Sequence, residues 1–335
     1  MKVVITGGTG FIGKKLAHRL LQRGSLIGPD GTETPIDELV LFDVAAPDPP
    51  LRRDNRLKVM TGDIADLATV RQLIDKGTGS VFHLAAVVSG QAEADTDIGL
   101  RVNLDGTRAV LEASRALGTV PRVVFASSLA VYGGDLPPAV GDDTPLRPQT
   151  SYGAQKAMGE LMVNDFSRKG YIDGRAVRLP TIVVRPGRPN RAASTWASSI
   201  IREPLSGVDV VCPVSRESAM ALLSPRRLIT AIEQIHDLPA DRLGHDRTVL
   251  LPGISVSVAQ MVDALRRAGG ESAVKRIRWE PDPVIQKIVD GWPRAIDARR
   301  AERLGIHADA GIDEIVAAFI ADDLPAQKAL VAAGS

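Results

Sequence analysis

The sequence predicts a doubly wound α/β fold, a mainly parallel sheet covered by helices on both faces, with a smaller C-terminal α/β cap. Three observations predict it. Short apolar, β-branched runs alternate with stretches of helical periodicity through the first half of the chain. A glycine-rich turn, with Gly7, Gly10 and Gly13, joins the first such run to the first helical stretch. Beyond about residue 180 the alternation weakens, and prolines crowd in at Pro180, Pro186, Pro189, Pro204 and Pro213. Strands alternating with helices argue for βαβ units, whose crossovers are almost always right-handed.

Residues 3–6 are apolar and β-branched, the pattern of a buried strand. Residues 11–23 place Ile12, Leu16, Leu20 and Leu21 on one side of a helix. Residues 27–38 are polar with glycine and proline, and read as a surface insertion before a second strand at 39–42. A strand at 57–61 and a helix at 67–76 follow, then strands at 80–85 and 122–126 on either side of a helix over 98–117. A helix is expected at 152–168 and a strand at 174–179. In the last third, 226–235, 258–268 and 313–322 read as helices and 248–251 as a strand. No internal repeat or low-complexity tract interrupts the chain.

The chain has 335 residues, 44% hydrophobic and 24% charged, ordinary for a globular protein of one large or two unequal domains. Lys+Arg 41 against Asp+Glu 40 leaves a net charge of +1, so nothing argues for nucleic acid or a membrane surface as partner. Cys212 is the only cysteine, which excludes a disulfide within the chain and disfavours a thiolate metal site. His18, His236, His245 and His307 are scattered without metal-ligand spacing, and no metal is implied. The N-terminal apolar run is too short for a signal peptide, no stretch approaches a membrane span, and a cytoplasmic location is expected.

The glycine turn carries the first functional reading. Glycine permits positive φ and leaves no Cβ between backbone and phosphate. Backbone N–H groups opening a helix attract a pyrophosphate, which brings Phe11 and Ile12 in beside Gly7, Gly10 and Gly13. The spacing is GxxGxxG, not the GxGxxG of the general dinucleotide fingerprint. Asp43, after the second strand, can accept both adenosine ribose hydroxyls and repel a 2′-phosphate, which favours NAD over NADP. It lies farther from the glycines than the usual ~20 residues, and the polar insertion accounts for the excess. A solvated strand-end aspartate is the plainer reading. Asp63, in TGDI, suits the adenine amine, with a turn aspartate or N-cap as the plainer alternative.

Tyr152 and Lys156 carry the second reading. Four residues apart on a helix, they share one face. An ammonium there favours the phenolate, so the tyrosine can take a proton from an alcohol. Alone, such a pair is common on helices.

TGGTGFIG at 6–13, Asp43, GDI at 62–64, HLAA at 83–86, NLDGT at 103–107, SSLAVYG at 127–133 and YGAQK at 152–156 stand in one order. Over roughly residues 1–190 the chain thereby resembles the extended short-chain dehydrogenases/reductases, which include nucleotide-sugar epimerases and dehydratases. The resemblance implies a Rossmann-type NAD-binding domain with the catalytic Ser, Tyr and Lys over 1–180. Over 181–335 it implies mainly a substrate-binding cap, with segments returning to the first domain. RLPTIVVRPGRPNRAAS at 178–194, IIREPLSG at 200–207, CPVS at 212–215 and LLSPRR at 222–227 narrow the match. They resemble a branch that oxidises the C2 hydroxyl of a four-carbon sugar acid, D-erythronate, to 2-oxo-tetronate with NAD.

By that resemblance Tyr152 is the proton acceptor, and Lys156 lowers its pKa and holds the nicotinamide ribose. Ser128, four residues before Tyr132, hydrogen-bonds the substrate oxygen, and Ser127 meets substrate or cofactor through backbone or hydroxyl. Asp63 and Ile64 lie at the adenine, and Leu84, Ala85 and Ala86 line the cofactor. Asn103 ties a helix to the sheet near the active site, and Pro180 and Thr181 sit against the nicotinamide carboxamide. Thr181 departs from the RxxN motif of many nucleotide-sugar members, which weakens an epimerase reading. A homodimer through helices 98–117 and 152–168 is implied as well.

A sugar acid needs a cation for its carboxylate, and arginine matches one with its fork. Arg185, Arg188, Arg191 and Arg202 lie in one stretch, with Arg226 and Arg227 later, and most of them must be solvated. Arg185 and Arg226 are placed first, with Asn190, Ser194 and Thr195 as polar contacts to the substrate. Trp196, Trp279 and Trp292 read as packing residues and not as a sugar platform. His83, on a buried strand, reads as a packing histidine. Two rivals stand beside the sugar-acid dehydrogenase: a nucleotide-sugar 4-epimerase with tightly held NAD, and an NAD-binding scaffold without chemistry.

Overall fold

The structure is a computed structural model and describes residues 1–47, 51, 53–188 and 194–333. The chain divides into two compact units. One comprises Met1–Val131, Thr150–Arg178 and Ile229–Val249, the other Tyr132–Gln149, Leu179–Leu228 and Leu250–Ser335.

The first unit is built on a seven-stranded sheet. Its strands are β1 (Lys2–Thr6), β2 (Glu38–Asp43), β3 (Leu57–Thr61), β4 (Thr78–His83), β5 (Arg122–Ser128), β6 (Asp173–Leu179) and β7 (Thr248–Leu250). They run in the spatial order β3-β2-β1-β4-β5-β6-β7, and the pairings from β3 through to β5 are parallel. The order reverses between β1 and β4, the point at which doubly wound sheets leave a crevice at their carboxyl ends. Helices α1 (Phe11–Arg23), α2 (Leu67–Leu73), α3 (Gly106–Ala116) and α4 (Ser151–Arg168) belong to this unit. Val4, Val40, Phe42, Val81, Val110, Val123, Phe125 and Val163 form one buried cluster. Buried on both faces, β1 and β2 carry the unbroken apolar runs 3–5 and 39–42 and no alternation.

Two local departures from the sequence reading have physical causes. The polar stretch 27–38 is not a plain loop: Ser25–Ile27 pairs antiparallel with Glu33–Pro35. An Asp-Gly turn makes the hairpin, with Gly31 at φ 80° and the Thr32 N–H and hydroxyl both donating to Asp30. The expected single helix over 98–117 is three pieces, α-helical Thr96–Gly99, π-helical Leu100–Asp105 and then α3. Such widened turns recur at functional sites.

In the second unit, Ala219–Leu223 lies parallel to Thr181–Ile182 and antiparallel to Ile254–Ser257. Helices Thr195–Leu205, Val258–Val274 and Ile312–Asp322 join a core that includes Trp196, Ile200, Met261, Leu265 and Phe319. Trp279 and Trp292 pack against that core, so all three tryptophans serve packing. No described helix is long and apolar enough to cross a membrane.

Candidate active site

The site begins where β1 and β4 end. Gly7 has φ 67°, and a Cβ placed on it would lie 2.8 Å from the Ala85 nitrogen and 2.9 Å from the Leu84 carbonyl carbon. The backbones of the two loops therefore touch across the reversal of strand order, and only glycine permits it. Leu84, Ala85 and Ala86 are half-buried there. Gly10 is exposed and caps α1 without any side-chain hydrogen bond. The N–H groups of Phe11, Ile12 and Gly13 open the helix, where no intrahelical carbonyl is available to them. An anion with close access to backbone is what such a cradle fits, so the residues present suit a dinucleotide pyrophosphate.

Asp43 ends β2 with both carboxylate oxygens in use, accepting from Thr9 N–H at 3.1 Å and Val44 N–H at 2.8 Å. It holds the glycine turn, and each oxygen keeps a lone pair for a further donor. Asp63 accepts from Ala65 N–H at 3.0 Å and pairs with Arg101, so it is also a turn aspartate. Ile64 is buried against Gly106, where a Cβ would meet its side chain at 2.8 Å. Asn103, in the π-helical turn, accepts from Val87 N–H at 2.9 Å and donates to Val87 O and to Gln155 Oε1. Its amide ties the loop after β4 to α4.

The acid–base residues sit on α4 and β5. Thr150 starts α4 by accepting from Gly153 N–H at 3.1 Å, which sets Tyr152 in its first turn. Gly159 lets the helix lie on β5, since a Cβ there would meet the Phe125 ring at 2.5 Å. The buried Lys156 ammonium donates to Ala126 O at 2.8 Å and lies 4.8 Å from the Phe125 ring centroid and 5.6 Å from that of Tyr152. Burial pushes its pKa down to about 8, against the opposing pull of the Glu160 charge. Tyr152 and Ser128 are both half-buried. The Ser128 oxygen accepts from Ala130 N–H at 3.1 Å, which leaves its proton for an outside acceptor.

Ser127 corrects one expectation. Its hydroxyl is turned into the protein and donates to Glu160 Oε1, so its proton is not available to substrate or cofactor. His83 is a packing residue. The Thr107 hydroxyl donates to Asn103 O at 2.6 Å, so its oxygen accepts the Nε2 proton of His83 at 3.0 Å, while Thr6 donates to Nδ1 at 2.7 Å. Burial, reinforced by the Lys156 charge, lowers its pKa to about 3, too low for a base at neutral pH.

In the second unit, Pro180 is buried, and Thr181 pairs its backbone with Leu222. Arg185 donates to the Ser194 hydroxyl at 3.2 Å. Arg226 closes on Asp322 with its fork at 3.1 and 2.6 Å, and Arg227 pairs with Glu314. Arg202 is buried, bonded to Arg185 O, Ser199 and Glu203. Arg226 is thus already matched by a carboxylate of its own unit, and Arg202 is structural. Asn190 and Arg191 lie outside the described residues. Among the described residues no group of three or more His, Cys, Asp or Glu could hold a metal. A cavity of about 500 Å³ along β3, lined by Ala46, Leu51, Leu57 and Val59 among others, contains none of these site residues.

Sequence reasoning missed Glu160, Arg178 and Gln155, the buried polar residues behind the site. For Gln155 and Glu160 the signal was present: a polar residue on the buried side of a helix, next to the Tyr152–Lys156 pair, needs a buried partner.

Fold and site together define a dinucleotide-dependent oxidoreductase. Residues 3–238 match the NAD dependent epimerase/dehydratase family, and the chain belongs to it. It is 55% identical over 322 residues to a D-erythronate dehydrogenase of Cupriavidus necator, covering 96% of this chain and 98% of that one. It is 43% identical over 324 residues to a D-erythronate dehydrogenase of Haemophilus influenzae, covering 97% and 100%. A crystal structure of a nucleoside-diphosphate-sugar epimerase from Agrobacterium tumefaciens superposes with a TM-score of 0.91 at 39% identity, covering 98% and 96%. The chain is accordingly an NAD-dependent enzyme of the dehydrogenase class.

Proposed function

We propose that the enzyme oxidises the C2 hydroxyl of D-erythronate, a four-carbon sugar acid, to 2-oxo-tetronate with NAD. The observation that carries the reading is one constellation in the first unit. The Ser128 hydroxyl, with its proton to give, the Tyr152 phenol and the buried Lys156 ammonium share the unit that holds the glycine cradle. The relatives of 55% and 43% identity, named for D-erythronate, support the substrate.

Bound NAD supplies the acceptor for two electrons and the C2 hydrogen. The N–H groups of Phe11, Ile12 and Gly13 hold its pyrophosphate, with Gly7 and Gly10 clearing the way. Asp43 takes the adenosine ribose, Asp63 and Ile64 the adenine edge, Leu84, Ala85 and Ala86 its flank, and Pro180 and Thr181 the carboxamide. Asn103 supports this wall from behind. Ser128 donates to the C2 oxygen. Tyr152 accepts the C2 hydroxyl proton as the carbonyl forms, and the Lys156 ammonium stabilises the tyrosinate that does so. Arg185 is the partner we propose for the substrate carboxylate, ahead of Arg226, whose fork Asp322 fills. A homodimer accompanies this reading.

The test is NADH absorbance on adding D-erythronate, with L-threonate, D-threonate and UDP-glucose as comparisons. We expect a signal that requires D-erythronate and NAD. Tyr152→Phe should lower kcat by about 10²-fold or more while NAD still binds; full turnover in that variant removes Tyr152 from its role. The likeness to the nucleoside-diphosphate-sugar epimerase favours a second reading, a 4-epimerase. That enzyme would retain NAD through purification and interconvert UDP-sugars without net NADH, and this outcome would replace the dehydrogenase reading.

A further inference from the structure

Behind the reacting groups lies a buried chain of charge that the reaction above does not use. The Ser127 hydroxyl donates to Glu160 Oε1 at 2.5 Å. Arg178 closes on the same carboxylate, its Nε 3.0 and 3.2 Å from the two oxygens and a terminal nitrogen at 2.7 Å. Glu160 is 2% exposed and Arg178 9%. Three elements meet at this carboxylate: β5 through Ser127, α4 through Glu160 and β6 through Arg178.

A buried ion pair adds little net stability compared with apolar packing, so its place beside the site asks for another reason. Glu160 follows Lys156 by one helical turn. Lys156 donates to Ala126 O, and Ala126 precedes Ser127. The ammonium and the carboxylate therefore grip consecutive residues of β5, directly before Ser128.

We propose that Glu160 is a positioning residue for the oxidation: it anchors the end of β5 that carries Ser128, and its charge keeps Lys156 an ammonium. The inference rests on the reaction proposed above. Lys156 interacts with Tyr152 and Glu160 on its own helix and with His83 from β4, and Arg178 from β6 pairs with Glu160. His83 is neutral, and Arg178 is paired with the Glu160 carboxylate. Burial disfavours the ammonium, and the Glu160 charge opposes that effect. Without Glu160 the lysine loses its proton at lower pH, and Tyr152 loses its charged neighbour with it.

Glu160→Gln keeps the shape and an acceptor for Ser127 while removing the charge. Two measurements decide the matter. The first is a ¹³C NMR titration of the Lys156 Cε, which needs no substrate. We expect its midpoint to fall by about one pH unit or more relative to the wild type. The second is the pH profile of kcat/KM for the sugar acid, whose alkaline limb should move the same way. Glu160→Asp, which keeps the charge, should return both toward the wild type. If Glu160→Gln alone does not fold because the buried Arg178 guanidinium loses the charge of the Glu160 carboxylate, the pair Glu160→Gln with Arg178→Gln removes both charges together. That double variant should melt near the wild type and show a lowered midpoint, by less than Glu160→Gln alone because the Arg178 charge leaves with that of Glu160. A wild-type midpoint and a wild-type profile in a folded variant lacking the Glu160 charge would overturn the proposal. If the wild type makes NADH from no sugar acid, the proposed reaction fails, and the Lys156 titration still decides the role of Glu160.

Discussion

Gly7 carries a constraint that no other residue type can meet. Its φ of 67° is strained for any side chain, and the atoms a Cβ would strike belong to the Ala85 and Leu84 backbone, which cannot rotate aside. Gly7→Ala should destabilise the fold by ~1–3 kcal/mol. It should also weaken NAD binding markedly, because relief requires the two loops to part where the pyrophosphate is cradled. Calorimetric titration with NAD and urea unfolding check both effects, and unchanged values would remove Gly7 from the cradle. At this scale the sequence was legible wherever backbone geometry or a covalent spacing sets the chemistry. Gly7, Tyr152 and Lys156 could be named from the chain alone. What the Ser127 hydroxyl does could not be read in that way: adjacent side chains on a strand point to opposite sides, and only the position of Glu160 shows that this hydroxyl is committed.

Helix α4 gathers several of these residues into one element. Thr150 fixes its first turn, Gly159 fixes its distance from β5, and Tyr152, Lys156 and Glu160 follow at helical spacing. Its outer face is apolar, with Met158 37% and Leu161 66% exposed, and Leu100 in the π-helical turn is 38% exposed. Exposed apolar side chains on a helix suit an interface, and the homodimer we propose would cover this face. Leu161→Asp should then lower the mass seen by light scattering from dimer to monomer; a monomeric wild type would discard the arrangement. Elements with a regular apolar pattern were read within a residue or two, as at Leu57–Thr61 and Phe11–Arg23. The π-helical turn was hidden, because it is set by where the Asn103 amide finds partners and not by hydrophobic periodicity.

Two buried neutral histidines tie the stability of the whole molecule to pH. Burial lowers His83 to about 3 and His236 to about 4. His236 is stacked on Phe82 and bonded to Ser80 and Asp237. An unfolded histidine takes up a proton near pH ~6.5, whereas these two in the fold do not until far lower. Between those limits the unfolded chain binds more protons, so stability rises with pH. The contribution is complete above pH ~6.5 and is lost as the pH falls, at ~1.4 kcal/mol per unit for each histidine. Urea unfolding at about pH 5 should therefore give a lower free energy than at pH 7, by roughly 4 kcal/mol from this pair; equal values would mean that the histidines are charged in the fold or not buried.

The sequence by itself determined the class of fold, the dinucleotide turn and the spacing of the acid–base pair. Those features are local: the period of apolar residues, the lack of a Cβ at Gly7, and the helical turn between Tyr152 and Lys156 are properties of short stretches of chain. The tertiary structure decided which polar groups have partners. It turned Ser127 toward Glu160, closed Arg178 on that carboxylate, matched Arg226 with Asp322 and made His83 a neutral packing residue. Such pairings join residues far apart in sequence, and their energies follow from burial and distance, which exist only once the chain has folded.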